Sequence, residues 1–331
     1  MNNNIYIMDN ITTVWSLDIP NTAGDVFTSP VVDNNNIVYI GSGKYVYAIG
    51  DTGKMPYYRW ANEKFDIHID YGEIYSACSL DSSGDFLYFG TTKGYIYKIN
   101  ALTGSIVEPY PLKIANILAQ PNNNDYIIYT PICIVYDDIS DNNIAICSAT
   151  YDNNTKGITV AIDTAIDTND PLKLLLWHHD NENVHTVDGK SQTLHNGILF
   201  NGIAYNKFKK SVYISTITHI ISLNLLDGQT RCIFMGVDVN KPSVCFSTPT
   251  IDSCGNLLVS ALNNFNPSAT IHNKLYSLTE SRVDNGNTFN FNMNWEKDIY
   301  VSERLSAAVI DASSNIWLTS KNKIHKLKFT A

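Results

Sequence analysis

The sequence of 331 residues has no long apolar run and no excess of positive charge. Lysine and arginine together number 23, against 32 aspartate and glutamate residues, so the formal net charge is −9 at pH 7. This balance argues against nucleic acid or an anionic membrane as the binding partner. No segment approaches the length of a membrane span, and the N-terminus lacks the basic start and apolar stretch of a secretory signal. We therefore expect no membrane insertion and a cytoplasmic location.

Several motifs of catalytic sites are also missing. The sequence has no Gly-x-Ser-x-Gly elbow, no glycine-rich phosphate loop and no His-Glu-x-x-His, so it predicts no nucleophilic catalysis. Its six cysteines show no Cys-x-x-Cys spacing, and most lie in apolar runs. They are predicted to be reduced core thiols, with a single disulfide, for example Cys133 with Cys147, as the alternative. Abundant asparagine fits an AT-rich coding genome, so a viral source with a virion location is a further hypothesis.

What the sequence does contain is a repeated unit, first seen from Thr28 to Trp60. Short β-branched and aromatic runs alternate there with Asp, Asn and Gly clusters, the pattern of strands joined by hairpin turns. A single four-stranded meander leaves one face unburied, so it needs neighbours of the same kind. The predicted strands are Val31-Val32, Ile37 to Ile40, Tyr45 to Ile49 and Tyr57 to Trp60.

The order of runs recurs six times along the chain, which predicts an all-β fold, a six-bladed β-propeller of four-stranded blades in one domain. Pro30, Pro131 and Pro249 stand at equivalent positions and place the first strand of each blade at a sheet edge, lining the channel. The last unit lacks a fourth strand, and Thr13 to Leu17 is predicted to supply it and close the ring. The approximate blades are 22–60, 72–110, 126–180, 197–236, 243–298 and 303–331 plus 10–18.

Two units carry a turn signature that resembles the pyrroloquinoline-quinone-like (PQQ-like) propeller repeat. Ala48 to Gly53 is followed by Trp60, and Tyr97 to Gly104 repeats the Thr-Gly turn, with Leu225 to Gly228 as a fainter third copy. In this motif the glycine allows a tight turn and the tryptophan wedges between blades. The resemblance implies a quinoprotein-type propeller; the dehydrogenases of this family hold a quinone and calcium over the channel. Other relatives bind polypeptide, and we expect this chain to be such a non-catalytic member.

Residues just before each innermost strand are predicted to ring the mouth of the channel. Their carboxylates suit a shared calcium ion or an acid/base pair, and a solvated polar rim is the simpler interpretation. The candidates are Asp25, Asp70, Glu73, His195, Lys241, Glu303 and Arg304.

A second candidate site lies in the over-long third unit, where half of the eight histidines fall. Histidine and carboxylate are zinc ligands, although the spacing matches no established motif. A metal set would consist of His179, His185, Asp188 and His195; a long polar loop is the alternative.

Taken together, these patterns favour a non-enzymatic scaffold that engages a protein partner through the channel mouth or the long third-unit loop. No cofactor is predicted. Two alternatives remain: a quinone- or metal-dependent oxidoreductase or hydrolase with a cation at the channel mouth, and a carbohydrate-binding or virion-associated propeller. The sequence leaves the oligomeric state open.

Overall fold

The structure is a computed structural model in which nearly all regular structure is β-strand. Most strands are rich in β-branched and aromatic residues, and nearly all pair antiparallel with a neighbour in sequence. The structure describes residues 16–17, 28–60, 64–67, 71–120, 126–152, 156–165, 168, 170–181, 184–187, 190–193, 202–216, 219–235, 246–263, 272–283, 289–299, 305–311, 314–320 and 323–328.

Sheets one and two are consecutive meanders. Sheet one has strands in the order β1-β2-β3-β4, and β5 pairs with the beginning of β3; sheet two has the order β6-β7-β8-β9. The strands of sheet one are β1 (Val31–Val32), β2 (Val38–Ser42), β3 (Tyr45–Asp51), β4 (Pro56–Tyr58) and β5 (Lys64–Asp66). Sheet two contains β6 (Ser79–Leu80), β7 (Phe86–Gly90), β8 (Tyr95–Asn100) and β9 (Leu112–Lys113), followed by the short helix α1 (Ile114–Ile117).

Sheet three has longer inner strands and is followed by a separate hairpin. A 3-10 turn, Pro171–Lys173, leads into its fourth strand, and Asp170 accepts a hydrogen bond from the Leu172 N–H there. Its strands are β10 (Cys133–Asp137), β11 (Asn142–Tyr151), β12 (Lys156–Asp163) and β13 (Leu175–Asp180). The hairpin consists of β14 (Val184–Val187) and β15 (Lys190–Thr193).

Sheets four and five each have four strands, and sheet six has three in the described residues. Sheet four contains β16 (Ile203–Asn206), β17 (Ser211–Ser215), β18 (Ile220–Asn224) and β19 (Thr230–Phe234). Sheet five contains β20 (Thr250–Ile251), β21 (Leu257–Asn263), β22 (His272–Arg282) and β23 (Phe289–Ile299). Sheet six contains β24 (Val309–Ile310), β25 (Ile316–Ser320) and β26 (Lys323–Leu327).

The hydrophobic core is divided into clusters that each lie between two consecutive sheets. Trp60 of sheet one packs with Leu87 and Ile99 of sheet two, and Trp177 of sheet three packs with Leu223 of sheet four. Further clusters join sheets two and three, four and five, and five and six. Because each sheet buries its faces against its neighbours, this is the packing of a β-propeller, as predicted.

A hairpin of common design joins the first and second strands of every sheet. An Asp or Asn ends or directly follows the first strand, and its side chain accepts backbone N–H bonds from the loop; in sheet five, Asp252 Oδ1 accepts from Cys254 at 2.9 Å and from Asn256 at 2.8 Å. Such side chains fix a tight reversal. The residues at this position are Asp33, Asp81, Asp137, Asn206, Asp252 and Asp311.

The strand predictions are confirmed with two corrections. In unit two, the sequence offers Ile106-Val107 as a weak fourth strand, but Ile106 forms only an isolated bridge to Ile99, and the fourth strand is β9 instead. Pro109 and Pro111 lie between the two segments and have no N–H to continue a ladder. In unit one, the fourth strand is shorter than predicted: β4 ends at Tyr58, and β5 takes over pairing with β3.

The edge prediction is confirmed, because β1, β10 and β20, which follow Pro30, Pro131 and Pro249, each end the strand order of a sheet. Closure by residues 10–18 stays a prediction. Of that segment the structure describes Ser16 and Leu17, which lie outside the strands. Across the described ranges no helix is long and apolar enough to cross a membrane.

Candidate functional site

At four consecutive interfaces, one backbone carbonyl near the end of the third strand accepts a hydrogen bond from a side chain of the preceding sheet. We call it the interface carbonyl. Trp60 Nε1 donates to Ala101 O at 3.0 Å, and Trp177 Nε1 donates to Leu225 O at 2.6 Å. Gly104 and Gly228, both with positive φ, bring their turns against these indoles. A Cβ on Gly104 would lie 2.8 Å from Trp60 Cδ2, so the close approach requires glycine.

Lysine replaces tryptophan at the other two interfaces. Lys98 Nζ donates to Thr164 O at 3.0 Å between sheets two and three, and Lys209 Nζ donates to Glu280 O at 2.5 Å between sheets four and five. Thr164 matches Ala101 and Leu225, because each follows an Asp or Asn that opens the turn. Glu280 is equivalent to Leu225 by strand register. Leu278, two residues before Glu280, pairs with Leu257 of the second strand, just as Leu223, two residues before Leu225, pairs with Val212.

Lys98 is buried, with 8% of the residue exposed. Its ammonium lies 4.4 Å from the centroid of Phe86, 5.8 Å from that of Tyr88 and 5.9 Å from that of Tyr110, the geometry of cation–π contacts. Burial lowers the pKa of Lys98 below its ordinary value, and Asp81 and Asp163 oppose the shift. The amine is held by aromatic faces and one carbonyl, which is a structural role.

Glu280 contributes a buried carboxylate as well as its carbonyl. Tyr213 and Ser222 of sheet four donate their hydroxyls to Oε2 at 2.8 and 3.0 Å, and Arg231 Nη1 lies 3.5 Å from Oε1. Burial, followed by the Glu280 charge, raises the pKa of the Tyr213 phenol. This network joins sheets four and five, and Arg231 also donates to Lys209 O and Ser211 Oγ within sheet four.

His179, predicted as a metal ligand, is buried in sheet three with both ring nitrogens engaged. Nδ1 lies 2.8 Å from Asn181 Oδ1, and Nε2 lies 2.9 Å from Thr230 Oγ1 of sheet four. Burial lowers the pKa of the imidazole below 6.5, although the Asn181 hydrogen bond opposes this. The described residues include no group of three or more His, Cys, Asp or Glu side chains placed to hold a metal ion.

The other predicted metal ligands cannot be placed beside it. His185 lies in β14, whose side chains are outside the described part, and Asp188 and His195 lie outside the described residues. The zinc set therefore stays a prediction.

Of the channel-mouth residues, the structure describes Glu73. Its N–H donates to Thr92 Oγ1 at 3.0 Å, its carbonyl accepts from the Thr92 N–H at 2.9 Å, and Tyr75 donates its hydroxyl to Oε2 at 3.2 Å. This last hydrogen bond raises the pKa of Tyr75. The remaining candidates fall outside the described residues: Asp25, Asp70, His195, Lys241, Glu303 and Arg304.

The structure shows a cleft that sequence patterns did not indicate, between sheets five and six. Its volume is about 810 Å³, within the range of ligand sites. Ile251, Leu258, Ile310 and Ile316 form apolar walls with the half-buried ring of Trp295. The polar lining consists of Asp252, Ser253, Cys254, Asn256, Ser277, Asn294, Asp311 and Ser314.

Amides and hydroxyls on one wall of the cleft are held by each other. Thr279 donates to Asn256 Oδ1 at 2.6 Å, and Asn294 Nδ2 donates to Thr279 Oγ1 at 2.8 Å and to Ser277 Oγ at 3.2 Å. Asp252 and Asp311 are the hairpin aspartates of the two sheets, so each carboxylate is fixed by its own loop. The wall therefore presents a preorganised polar surface.

Cys254 stands at the rim of this cleft and is the exposed one among the cysteines that the structure describes. All five described cysteines are free thiols, including Cys133 and Cys147, the pair suggested for a disulfide. Burial raises the pKa of the Cys78 and Cys133 thiols to about 12, so they are poor nucleophiles at neutral pH. Cys254 is thus a specific handle for labelling the cleft.

Solved structures share this fold at low sequence identity. The β-propeller domain of Myceliophteria thermophila Cps50 (Swd1) aligns with a TM-score of 0.53 and 11% identity over 94% of this chain and 88% of that chain. The quinohemoprotein alcohol dehydrogenase of Comamonas testosteroni aligns with a TM-score of 0.51 and 13% identity over 76% of this chain. BBS1N, solved in complex with ARL6DN, gives a TM-score of 0.50 and 10% identity over 89% of this chain and 75% of that chain.

These likenesses establish the class of the protein as a β-propeller. The alignment spans 41% of the length of the Comamonas dehydrogenase, so that enzyme contains much more chain than is matched. No family model and no curated protein matches the sequence.

Sequence reasoning missed Lys98, Glu280 and the cleft. A signal existed for Lys98: it is the one charged residue in the run Tyr95 to Ile99, in the unit whose fourth strand has no tryptophan. The equivalent residues of other third strands are the small Ala161, Ser222 and Ser277. The cleft had no such signal, because it depends on how two sheets meet.

Proposed function

We propose that this chain is a non-enzymatic, cytoplasmic β-propeller, a single domain of six blades with PQQ-like repeats, that acts as a scaffold for a protein partner. The observation that carries the proposal is the cleft between sheets five and six. It combines a volume of about 810 Å³, the half-buried ring of Trp295 and polar groups held in fixed positions, and aromatic and fixed polar groups are common in surfaces that bind polypeptide. The channel mouth and the long third-unit loop remain further candidate surfaces.

Rigid walls support a binding role. Thr250 and Ser260 of sheet five donate their hydroxyls to Ala308 O and Ser306 O before sheet six, at 2.6 and 3.1 Å, and the hairpin aspartates Asp252 and Asp311 fix the loops that line the cleft. A preformed surface loses little conformational entropy when a partner binds. BBS1N, a structure of the same fold, is recorded in complex with ARL6DN, which agrees with protein binding as a use of the fold.

Cross-linking from Cys254 tests the proposal. In a Cys245→Ser background, a photoreactive maleimide attached to Cys254 is expected to capture one defined protein from the cells that produce this chain. The matched control moves the thiol to the equivalent hairpin position of sheet two, with Cys254→Ser and Ser83→Cys. Capture of the same proteins from both positions, or of none from Cys254, would contradict binding at the cleft.

A second candidate function is a quinone- or metal-dependent oxidoreductase. Two observations favour it: the tryptophan–glycine interfaces and the likeness to the Comamonas dehydrogenase. The group would sit at the channel mouth, where Glu73 is the described candidate ligand. Titration with pyrroloquinoline quinone and calcium, followed by the quinone absorbance and by alcohol-dependent dye reduction, tests this. Saturable binding lost in Glu73→Gln would support the enzyme over the scaffold.

A further inference from the structure

The interface between sheets three and four shows what one of the hairpin aspartates binds. Lys210 of sheet four places its ammonium 3.4 Å from Asp137 Oδ1 of sheet three, and it also pairs with Asp138. Asp137 is largely buried, and Lys210 is the cation that compensates its charge. The lysine thus fills the gap between the two hairpins from within the chain.

The interface between sheets five and six has the same positions but lacks that lysine. Asp252 is equivalent to Asp137, and Ser314 is equivalent to Lys210. Ser314 and Lys210 each stand directly before the residue of the second strand that pairs with the hairpin Asp or Asn of the same sheet. Both have positive φ, 60° for Ser314 and 51° for Lys210. Serine is too short to reach across.

The cleft occupies the space at this equivalent position. Asp252 and Ser314 both line it, and none of its lining residues, all of them described, is a lysine or arginine. Within the described residues no cation lies at ion-pair distance from Asp252. Its carboxylate accepts three hydrogen bonds from its own hairpin, which fix its position without supplying a positive charge.

The opposite wall suits the rest of a basic side chain. An aliphatic stem would lie against the apolar surface formed by Trp295, Ile251, Leu258, Ile310 and Ile316. An indole ring also attracts a cation. The chain uses the same contact elsewhere: Lys326 lies 4.8 Å from the Trp317 centroid, and Arg231 lies 4.8 Å from that of Phe289.

From this comparison we propose that the cleft binds a lysine or arginine side chain from an extended segment of the protein partner. Asp252 pairs with the cationic group, as Asp137 pairs with Lys210. Asn294 and Asn256, which Thr279 and Ser277 hold in place, line the same cleft. The inference rests on the proposed function and adds the chemistry of the partner: a basic peptide.

Calorimetry on the full chain tests it with short blocked peptides of equal length that carry lysine, arginine or glutamine. We expect the lysine or arginine peptide to bind at least about tenfold more tightly than the glutamine peptide. Asp252→Asn keeps the hairpin acceptor but removes the charge, and should abolish the difference. Ser314→Lys should also abolish it, because the new lysine would reach Asp252 as Lys210 reaches Asp137. Asp33→Asn, the equivalent change in sheet one, should leave binding unchanged.

Equal affinity for the basic and glutamine peptides would overturn the inference, as would full binding by the Ser314→Lys variant. Spermine that competes as strongly as the basic peptide would overturn the choice of a peptide ligand. Capture of a partner from Cys254 that survives both Asp252→Asn and Ser314→Lys would leave the proposed function standing and remove only the cationic contact. Loss of capture in both variants supports both proposals together.

Discussion

The interface between sheets one and two contains a buried tryptophan, whereas the interface between sheets two and three contains a buried lysine. In the first, Trp60 fills the gap and donates to the carbonyl of Ala101; in the second, Lys98 fills it and donates to the carbonyl of Thr164. The indole is neutral and large, whereas the ammonium must lose water to reach the same place. In both interfaces the acceptor is a backbone carbonyl at the same position, whereas the donor is a different side chain.

Trp60→Ala is expected to have the largest effect on stability. The side chain is 4% exposed and packs between two sheets, so its removal should lower the free energy of unfolding by about 3–5 kcal/mol. Urea denaturation followed by circular dichroism measures this. Trp60→Phe keeps most of the packing but leaves the Ala101 carbonyl without its donor, and should cost less. Equal losses in the two variants would show that the hydrogen bond, not the packing, holds the interface.

Gly104→Ala should come next, because it attacks the same interface from the other side. The new Cβ would meet Trp60 Cδ2 at 2.8 Å, and the residue has a φ of +73°. Gly53 is the matched control: its φ is +82°, but nothing lies within 4 Å of an added Cβ. Both variants lose the glycine's conformational freedom, so the excess loss in Gly104→Ala, about 1–3 kcal/mol, measures the packing clash alone. Equal unfolding midpoints for Gly104→Ala and Gly53→Ala would contradict close packing of Trp60 against the Gly104 turn.

How much of this could be read from sequence differs between the fold and the site. The strands and the tryptophan–glycine turns are local patterns, so Trp60 and Gly104 were predictable with their roles. The Lys98 contact depends on how two sheets are placed against each other. The cleft depends on a short side chain at Ser314, which is recognised only once that residue is aligned with Lys210. A sequence motif identifies side chains that are present, whereas a missing lysine is recognised only by comparison with an equivalent position.

Lys98→Met tests the charged interface and should change stability by only about 1 kcal/mol, because the lost hydrogen bond and the avoided burial of charge offset each other. The pH dependence is more informative. The folded pKa of Lys98 lies below 10.5, so the unfolded chain binds more protons between the two values, and stability should rise with pH across that window.

Lys98→Met should remove this rise, as seen in urea midpoints measured from neutral pH towards 10.5, the ordinary pKa of lysine. The exposed Lys93→Met in the same sheet is the control and should keep it. A rise that persists unchanged in Lys98→Met would mean that Lys98 is not the group responsible.

His179→Gln should give the smallest effect, confined to acidic pH. The folded pKa of His179 lies below 6.5, so the native state holds a neutral ring while the unfolded chain takes up a proton as the pH falls through 6.5. The stability that the neutral ring contributes is present above pH 6.5 and is lost towards the folded pKa. Urea midpoints of the parent should therefore fall more steeply with acid than those of His179→Gln. His178→Gln, an exposed neighbour on the same strand, should keep the parent slope; if it flattens the slope instead, the buried imidazole of His179 is not the source of the pH dependence.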